Sequence, residues 1–333
     1  PAVPMITLQL TPCKWFQFDY FHAWLVSNVL DSTYYYLENT AGSDVALKNY
    51  RPYNKFMAAN MFTFTPIKHV SLSFGNSVIY AEKTIQAAYL IPIAFYKSLD
   101  HLMTKGVRTQ NQNSQVFASL SVRPIDHLQL YGSFFLDEVK FARFKKSNPQ
   151  NNPISYLVGF NWSGWPIKGL SLKGEFMRSY IACYTHSIDV LDWSSNSYNM
   201  GHYMGDNAQS IYAELAYRPF RGALIKLSYT NDKKYNSYAY LRDNIGPTIS
   251  EKPFDHCIYS NDELRLDGIY EVHPNMFMTV SLGYNNAQGF DNIKANALPS
   301  EDLGDAQYYL DKFSPLFYQG KNFTASVGFS FGF

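Results

Sequence analysis

The chain has 333 residues, 28 Lys and Arg against 27 Asp and Glu, and a formal net charge of +1, a balance that gives nucleic acid no electrostatic footing. Tyr and Phe number 27 and 25, yet mean hydropathy is −0.24 and no apolar run approaches the roughly 18 residues that a spanning helix needs. A helical membrane protein is thereby excluded, whereas a strand-built one is not, because alternation hides its hydrophobicity from any average.

In chain order, alternating apolar and polar side chains predict strands at 3–11, 14–28, 54–65, 69–80, 114–123, 127–140, 154–164, 169–184, 208–218, 223–232, 261–273, 276–285 and 321–333. Proline-marked turns join them in pairs: Thr11-Pro12-Cys13-Lys14, Thr65-Pro66-Ile67-Lys68, Arg123-Pro124-Ile125-Asp126, Trp165-Pro166-Ile167-Lys168, Arg218-Pro219-Phe220-Arg221 and His273-Pro274-Asn275-Met276. Proline presets φ at the first corner of a tight turn and cannot continue a ladder. Such a repeat also suits a propeller, whose blades carry four short strands each. Here each unit holds two long strands, with a tight turn at one end and a long polar loop at the other. That asymmetry belongs to outer-membrane barrels, and the aromatic excess fits girdles at two membrane–water interfaces.

In the last strand Phe323, Ala325, Val327, Phe329, Phe331 and Phe333 share one face, and small or polar residues share the other. Glu263, Arg265, Asp267 and Glu271 likewise share a face. A sheet buried on both sides would not tolerate them, but a watered or charge-paired lumen would. Lys173, Glu175, Glu214 and Lys226 are expected to project into the same lumen and pair across neighbouring strands. Phe333 resembles the terminal aromatic that barrel-assembly machinery reads. Thirteen strands is an odd count, so residues 1–333 are read as one all-β transmembrane antiparallel barrel domain lacking upstream strands.

The long loops at 29–53, 81–113, 185–207, 233–260 and 286–320 are then extracellular, with a shorter one at 141–153. Residues 89–96 are too apolar for a solvated loop, and a short helix lining or plugging the lumen mouth is expected there; a protein partner is the rival explanation. No phosphate loop, zinc spacing or nucleophile elbow occurs, so neither cofactor, metal nor enzymatic activity is expected. Cys13, Cys183 and Cys257 are read as isolated thiols or as one Cys183–Cys257 bridge with one thiol left over. His69, His127 and His273 flank the proline turns, which accounts for them. Asp100 and His101, and His202 and Asp206, fall at predicted outer loop–strand junctions. Ordinary loop hydrogen bonding explains them, and a carbohydrate or ion contact is the sharper alternative. Tyr34, Tyr35, Tyr36 and Trp193 are either rim aromatics or stacking faces for sugar rings.

Several segments resemble the Bacteroidetes branch of the capsule-assembly Wzi family, outer-membrane barrels with gliding-associated members. They are the run from Lys14 to His22, Phe74-Gly75-Asn76-Ser77-Val78-Ile79-Tyr80, the run from Ile91 to His101, the run from Leu130 to Glu138, and Gly201-His202-Tyr203-Met204-Gly205-Asp206-Asn207-Ala208. The resemblance implies a closed barrel of about eighteen strands that tethers or organises surface polysaccharide. It names no catalytic residue. The expected partners are outer-membrane lipid and surface polysaccharide. A subunit of a larger envelope complex for secretion, gliding or barrel assembly is the first alternative, and a solute porin is the second.

Overall fold

The computed structural model describes residues 3–39, 46–103, 112–137, 152–238, 241, 252–290 and 306–332. Its strands are β1 (Met5–Cys13), β2 (Phe16–Leu25), β3 (Leu30–Asn39), β4 (Ala46–Pro52), β5 (Lys55–Ile67), β6 (Val70–Ala81), β7 (Gln112–Ile125), β8 (Leu128–Asp137) and β9 (Ile154–Ser163). They continue as β10 (Leu170–Ser179), β11 (Ser194–Ser195), β12 (Tyr198–Asn199), β13 (Ala208–Tyr217), β14 (Ala223–Tyr235), β15 (Cys257–His273), β16 (Met276–Gly289) and β17 (Gly320–Phe331). Short helices lie in the connections, among them α1 (Tyr96–Met103) and α2 (Ala306–Phe313). Thirteen strands pair in chain order into one sheet, β1-β2-β5-β6-β7-β8-β9-β10-β13-β14-β15-β16-β17, each antiparallel to its neighbour. Among the described residues β1 and β17 each pair on one side only, so this wall does not close on itself. The fold is a transmembrane β-barrel wall of the outer-membrane type.

The short turns show why the proline repeat works. Pro12, Pro66 and Pro124 fall where the ladder register slips, between Leu10 and Cys13, Phe64 and Ile67, and Val122 and Ile125. At a bulge no ladder N–H is required of them. Outside the β1–β2 turn the chain then reverses through a left-handed residue: His69 (φ 80°), His127 (φ 72°), Gly169 (φ 84°), Gly222 (φ 86°) or Asn275 (φ 63°). Glycine and asparagine accept that region readily; the two histidines hold the same place in otherwise equivalent turns.

Alternation sorts the faces. Leu172, Leu215, Leu227, Leu266 and Leu282 stand directly opposite one another across β10, β13, β14, β15 and β16. All five are exposed, as are Leu72, Phe74, Leu130 and Val158 on the same outward face. A row of exposed leucines suits acyl chains and not water. On β17, Phe323, Val327, Phe329 and Phe331 continue that face; Phe333 lies outside the described residues.

Two features depart from the sequence reading. The segment at 29–53 is not a plain loop, because β3 and β4 pair there as a separate hairpin. The apolar stretch within 81–113 does form a one-turn helix (Ala87–Leu90) and α1, but it does not enter the lumen. It lies on the outer wall. Tyr89 and Tyr96 are buried against Phe18, Tyr20, Phe56, Ala58, Val78 and Tyr80, which share the face of Leu72 and Phe74. The opposite face of the same strands carries Met57, Ala59 and Ile79. The wall itself explains the placement. Asn60 and Asn76 take outward positions that elsewhere hold leucine and phenylalanine, and they bind the segment's backbone.

Candidate functional site

The lumen face carries the expected charges as a connected belt. Lys173 pairs with Glu175 at 3.0 Å, and Glu175 also accepts a hydrogen bond from the Tyr131 hydroxyl at 2.5 Å. Lys226 lies 3.9 Å from both Glu214 and Asp267, and Arg265 meets Asp267 at 2.9 Å. The Tyr212 hydroxyl donates to Glu214 and the Ser281 hydroxyl to Asp267. These pairs are partly exposed to the lumen, so each contributes little stability. Glu263 lies higher, lining a polar cavity of about 420 Å³ with Arg265, Tyr203, Asp232 and Asn285.

Above the belt the lumen is occupied by the connection between β10 and β13, residues 180–207. Val190 and Leu191 pack against Ala23, Leu25, Met57, Ala59 and Ile79 on the inner wall. The Lys55 ammonium donates to the Asp192 carbonyl at 2.7 Å, and Asn113 donates to the Leu191 carbonyl at 3.3 Å. Trp193 packs its ring 4.9 Å from Phe135, which also meets Tyr184 at 5.1 Å. On the far side Lys234 pairs with Asp206 at 2.9 Å and donates to its carbonyl, with both side chains about 95% buried. Asp206 Oδ2 further accepts from the Tyr238 N–H at 2.7 Å and the Ala182 N–H at 3.3 Å. The Tyr203 hydroxyl donates to Asp232 at 2.5 Å. A second insertion follows β16, where α2 packs near Tyr259, whose hydroxyl lies 2.8 Å from that of Ser314.

Burial sets the ionisation of two groups in this connection. His202 lines a cavity of about 340 Å³ with Phe135 and Tyr184, and loss of water pushes its imidazole down to about 4, against the pull of Glu175. Burial raises the Asp192 carboxyl to about 7 despite the His186 N–H and the Lys55 ammonium.

At the long-loop rim the β3–β4 hairpin and the ends of β2, β5 and β6 enclose a cleft of about 650 Å³, lined by Trp24, Asp31, Tyr34, Arg51, Asn54 and Lys83 among others. Trp24 and Tyr34 are 51% and 53% exposed, so their faces are open to a ligand. The Arg51 guanidinium sits 5.2 Å from the centre of the Tyr34 ring. Asp31 accepts hydrogen bonds from the Thr33 hydroxyl at 2.6 Å and N–H at 2.8 Å, which hold its carboxyl below the usual range. Tyr35 faces away, paired with Tyr50 and Lys48.

The residues singled out from sequence are thus dispersed. Tyr34 lines the rim cleft, Trp193 and His202 belong to the lumen insertion, and Asp206 is fully engaged with Lys234. Asp100 and His101 fall in α1 and Tyr36 in β3, but their side chains lie outside the described residues. Trp24, Asp31 and Arg51 were not anticipated; only the β3–β4 pairing brings them together. Cys13, Cys183 and Cys257 are all free.

A lipid-facing wall, ion pairs on its lumen face and a connection folded against that face define part of an outer-membrane β-barrel. The structure is similar to that of Wzi from Escherichia coli, an outer membrane protein involved in group 1 capsule assembly and a carbohydrate-binding β-barrel. The TM-score is 0.52 at 14% identity, over 99% of this chain and 60% of that one. OccD3 (OpdP) of Pseudomonas aeruginosa aligns at TM-score 0.46 and 10% identity, over 97% of this chain and 66% of that one. The chain therefore spans about 60% of the length of the Wzi chain it matches. At this identity the likeness speaks to fold alone, and it is in keeping with an outer-membrane location. No protein-family model matches the chain, and no curated protein matches it.

Proposed function

We propose that this chain is a non-enzymatic outer-membrane barrel that binds or organises surface polysaccharide at its long-loop rim. The observation that carries the reading is the rim cleft. Sugar rings have apolar C–H faces edged by hydroxyls, and the cleft offers Trp24 and Tyr34 faces beside Asp31, Arg51 and Asn54. Large amphipathic rings with few rotatable bonds supply contact area, and the planar polar groups supply direction. The likeness to a carbohydrate-binding barrel and the sequence resemblance to the Bacteroidetes branch of its family support the same reading. The insertion at 180–207 weighs against a diffusion porin.

The test is purification of the protein in mild detergent, followed by analysis of bound material and titration with the surface polysaccharide of the source cells. Saturable binding that is lost on combining Trp24→Ala with Tyr34→Ala supports the reading. A stoichiometric set of envelope proteins, with no glycan bound, would make the chain a complex subunit instead. Steady conductance in planar bilayers would make it a porin.

A further inference from the structure

We infer that residues 85–96 form a strap immersed in the apolar layer of the membrane at the long-loop end, an external, lipid-exposed segment riding on the barrel wall; Lys97, Asp100 and His101 follow in α1. Its position is the first argument. β5 has 13 residues, which at about 3.3 Å each and a tilt near 45° rise about 30 Å, the thickness of the hydrocarbon core. Asn60 is the sixth residue of β5, about 16 Å along the strand from its loop end. The strap reaches that level, where Asn60 donates to the Pro92 and Ala94 carbonyls at 2.8 Å each.

Backbone bonding is the second argument. Irregular chain at membrane depth must satisfy its polar groups within the protein, whereas a solvated loop can leave them to water. The strap meets several of them on the wall side. Tyr20 donates to the Tyr89 carbonyl at 3.1 Å, and the Tyr96 N–H donates to Asn76 Oδ1 at 2.8 Å. The Gln86 N–H donates to the Tyr80 hydroxyl at 3.3 Å. Within the strap and into α1, the Ala88, Ile91 and Phe95 carbonyls accept from the Ile91, Ala94 and Ser98 N–H groups.

The outer surface is the third. Ile85, Leu90, Ile91, Ile93 and Phe95 are exposed, Ile93 at 72%. A ridge of this kind in water would be a liability. It belongs to the same outward face as Leu72 and Phe74, which meet lipid, and the occupant that fits both is the acyl-chain layer.

The experiment replaces Ile93 with the photo-crosslinking residue benzoylphenylalanine in the intact protein in its native membrane. Leu72→benzoylphenylalanine serves as the wall control and Tyr198→benzoylphenylalanine as the aqueous-loop control. The exposed side chain of Ile93 can be exchanged without disturbing the Asn60 contacts. After irradiation, a lipid-mass adduct at position 93 in a yield like that at 72, and absent at 198, supports the strap. A discrete crosslinked protein band at 93 would overturn it in favour of a protein docking ridge. Absence of any adduct at 93, with full lipid adduct at 72, would overturn it in favour of a solvated loop.

Discussion

Asn76 donates to the side-chain oxygen of Asn60 at 2.7 Å, directly opposite it in the β5–β6 ladder, on the face of the wall that elsewhere meets lipid. With that oxygen engaged, the Asn60 amide points both of its hydrogens at the strap. A pair of asparagines on an apolar surface is costly unless every polar atom has a partner. Here the two side chains serve as the adaptor between a regular sheet and an irregular segment.

Asn60→Leu is therefore expected to release the strap while leaving the wall intact. The Pro92 carbonyl would lose the Asn60 amide, at about 1–3 kcal/mol, while the Ala94 carbonyl keeps the Asn76 amide at 3.3 Å. Hydrogen exchange read by mass spectrometry should rise across residues 86–103 and stay unchanged in β13–β16. An unchanged profile in the strap would show that packing of Tyr89 and Tyr96 holds it alone.

Lys234→Met should loosen the lumen insertion strongly. Removing one partner of a buried pair strands the other charge, at about 3–5 kcal/mol. Protease cleavage within 180–207 should appear in the folded barrel. Combining it with Asp206→Asn should recover part of the loss, because neither position then carries a buried unpaired charge and the Tyr238 and Ala182 N–H groups keep an acceptor. Equal cleavage in single and double variants would count against the ion pair as the anchor.

Acid should act on the insertion through His202. Its pKa is lowered from the ordinary 6.5 to about 4, so the released loop binds a proton that the docked loop refuses. The docking contributed by neutral His202 is complete above pH 6.5 and is lost as pH falls towards 4. Asp192 works in the opposite sense: raised from 3.8 to about 7, it favours docking most at low pH and loses that contribution as pH rises through 7. Loop exchange in His202→Gln should thus slow on acidification from pH 6.5 to 4. With His202 present it should rise relative to that variant by at least about tenfold, each pKa unit being a factor of ten. Identical pH profiles would remove His202 from the docking equilibrium.

At the rim, Trp24→Ala should weaken polysaccharide binding by at least about tenfold, the usual effect of losing a central aromatic anchor. Asp31→Asn should weaken it less, because Thr33 can still orient the side chain. Binding is measured by titration of the detergent-purified protein. Tyr198→Ala, which alters an exposed tyrosine outside the cleft, should leave affinity unchanged.

The wall was legible in the sequence because period-two alternation and the proline bulges are local. The thirteen predicted strands correspond one to one with those of the sheet, although β2 ends at Leu25 and β10 at Ser179, short of the expected 28 and 184, because the chain there leaves the ladder for the rim and the lumen connection. β14, β15 and β16 run further towards the long-loop end than the alternation marks, since Lys234 and Tyr259 lie there at positions governed by the lumen insertion. Which side of the wall a connection takes was not legible. The strap is apolar from Ala87 to Tyr96, and apolarity alone fits a lumen plug, a protein partner or lipid. The deciding signal was Asn60 and Asn76, two amides within otherwise lipid-facing rows. The rim cleft was hidden for a different reason. Trp24, Asp31, Tyr34 and Arg51 converge only through the β3–β4 hairpin, whose polar, weakly alternating strands read as loop.

The connection from 180 to 207 has a mechanical consequence. It is fastened to Lys55 and Asn113 on one flank and to Lys234 on the other, which are sheet positions several strands apart. It acts as a cross-brace. A twisted sheet can flatten or deepen at low cost, but with this strut in place the separation between β5 and β14 is fixed at the long-loop end. The hairpin that forms the rim cleft springs from the braced flank, between β2 and β5. The brace also touches that flank directly, through the Asn196 N–H donating to the Val26 carbonyl at 2.9 Å. The geometry offered at the surface is thus held by a tie inside the barrel, and cutting that tie should change the shape of the rim before it changes the stability of the wall.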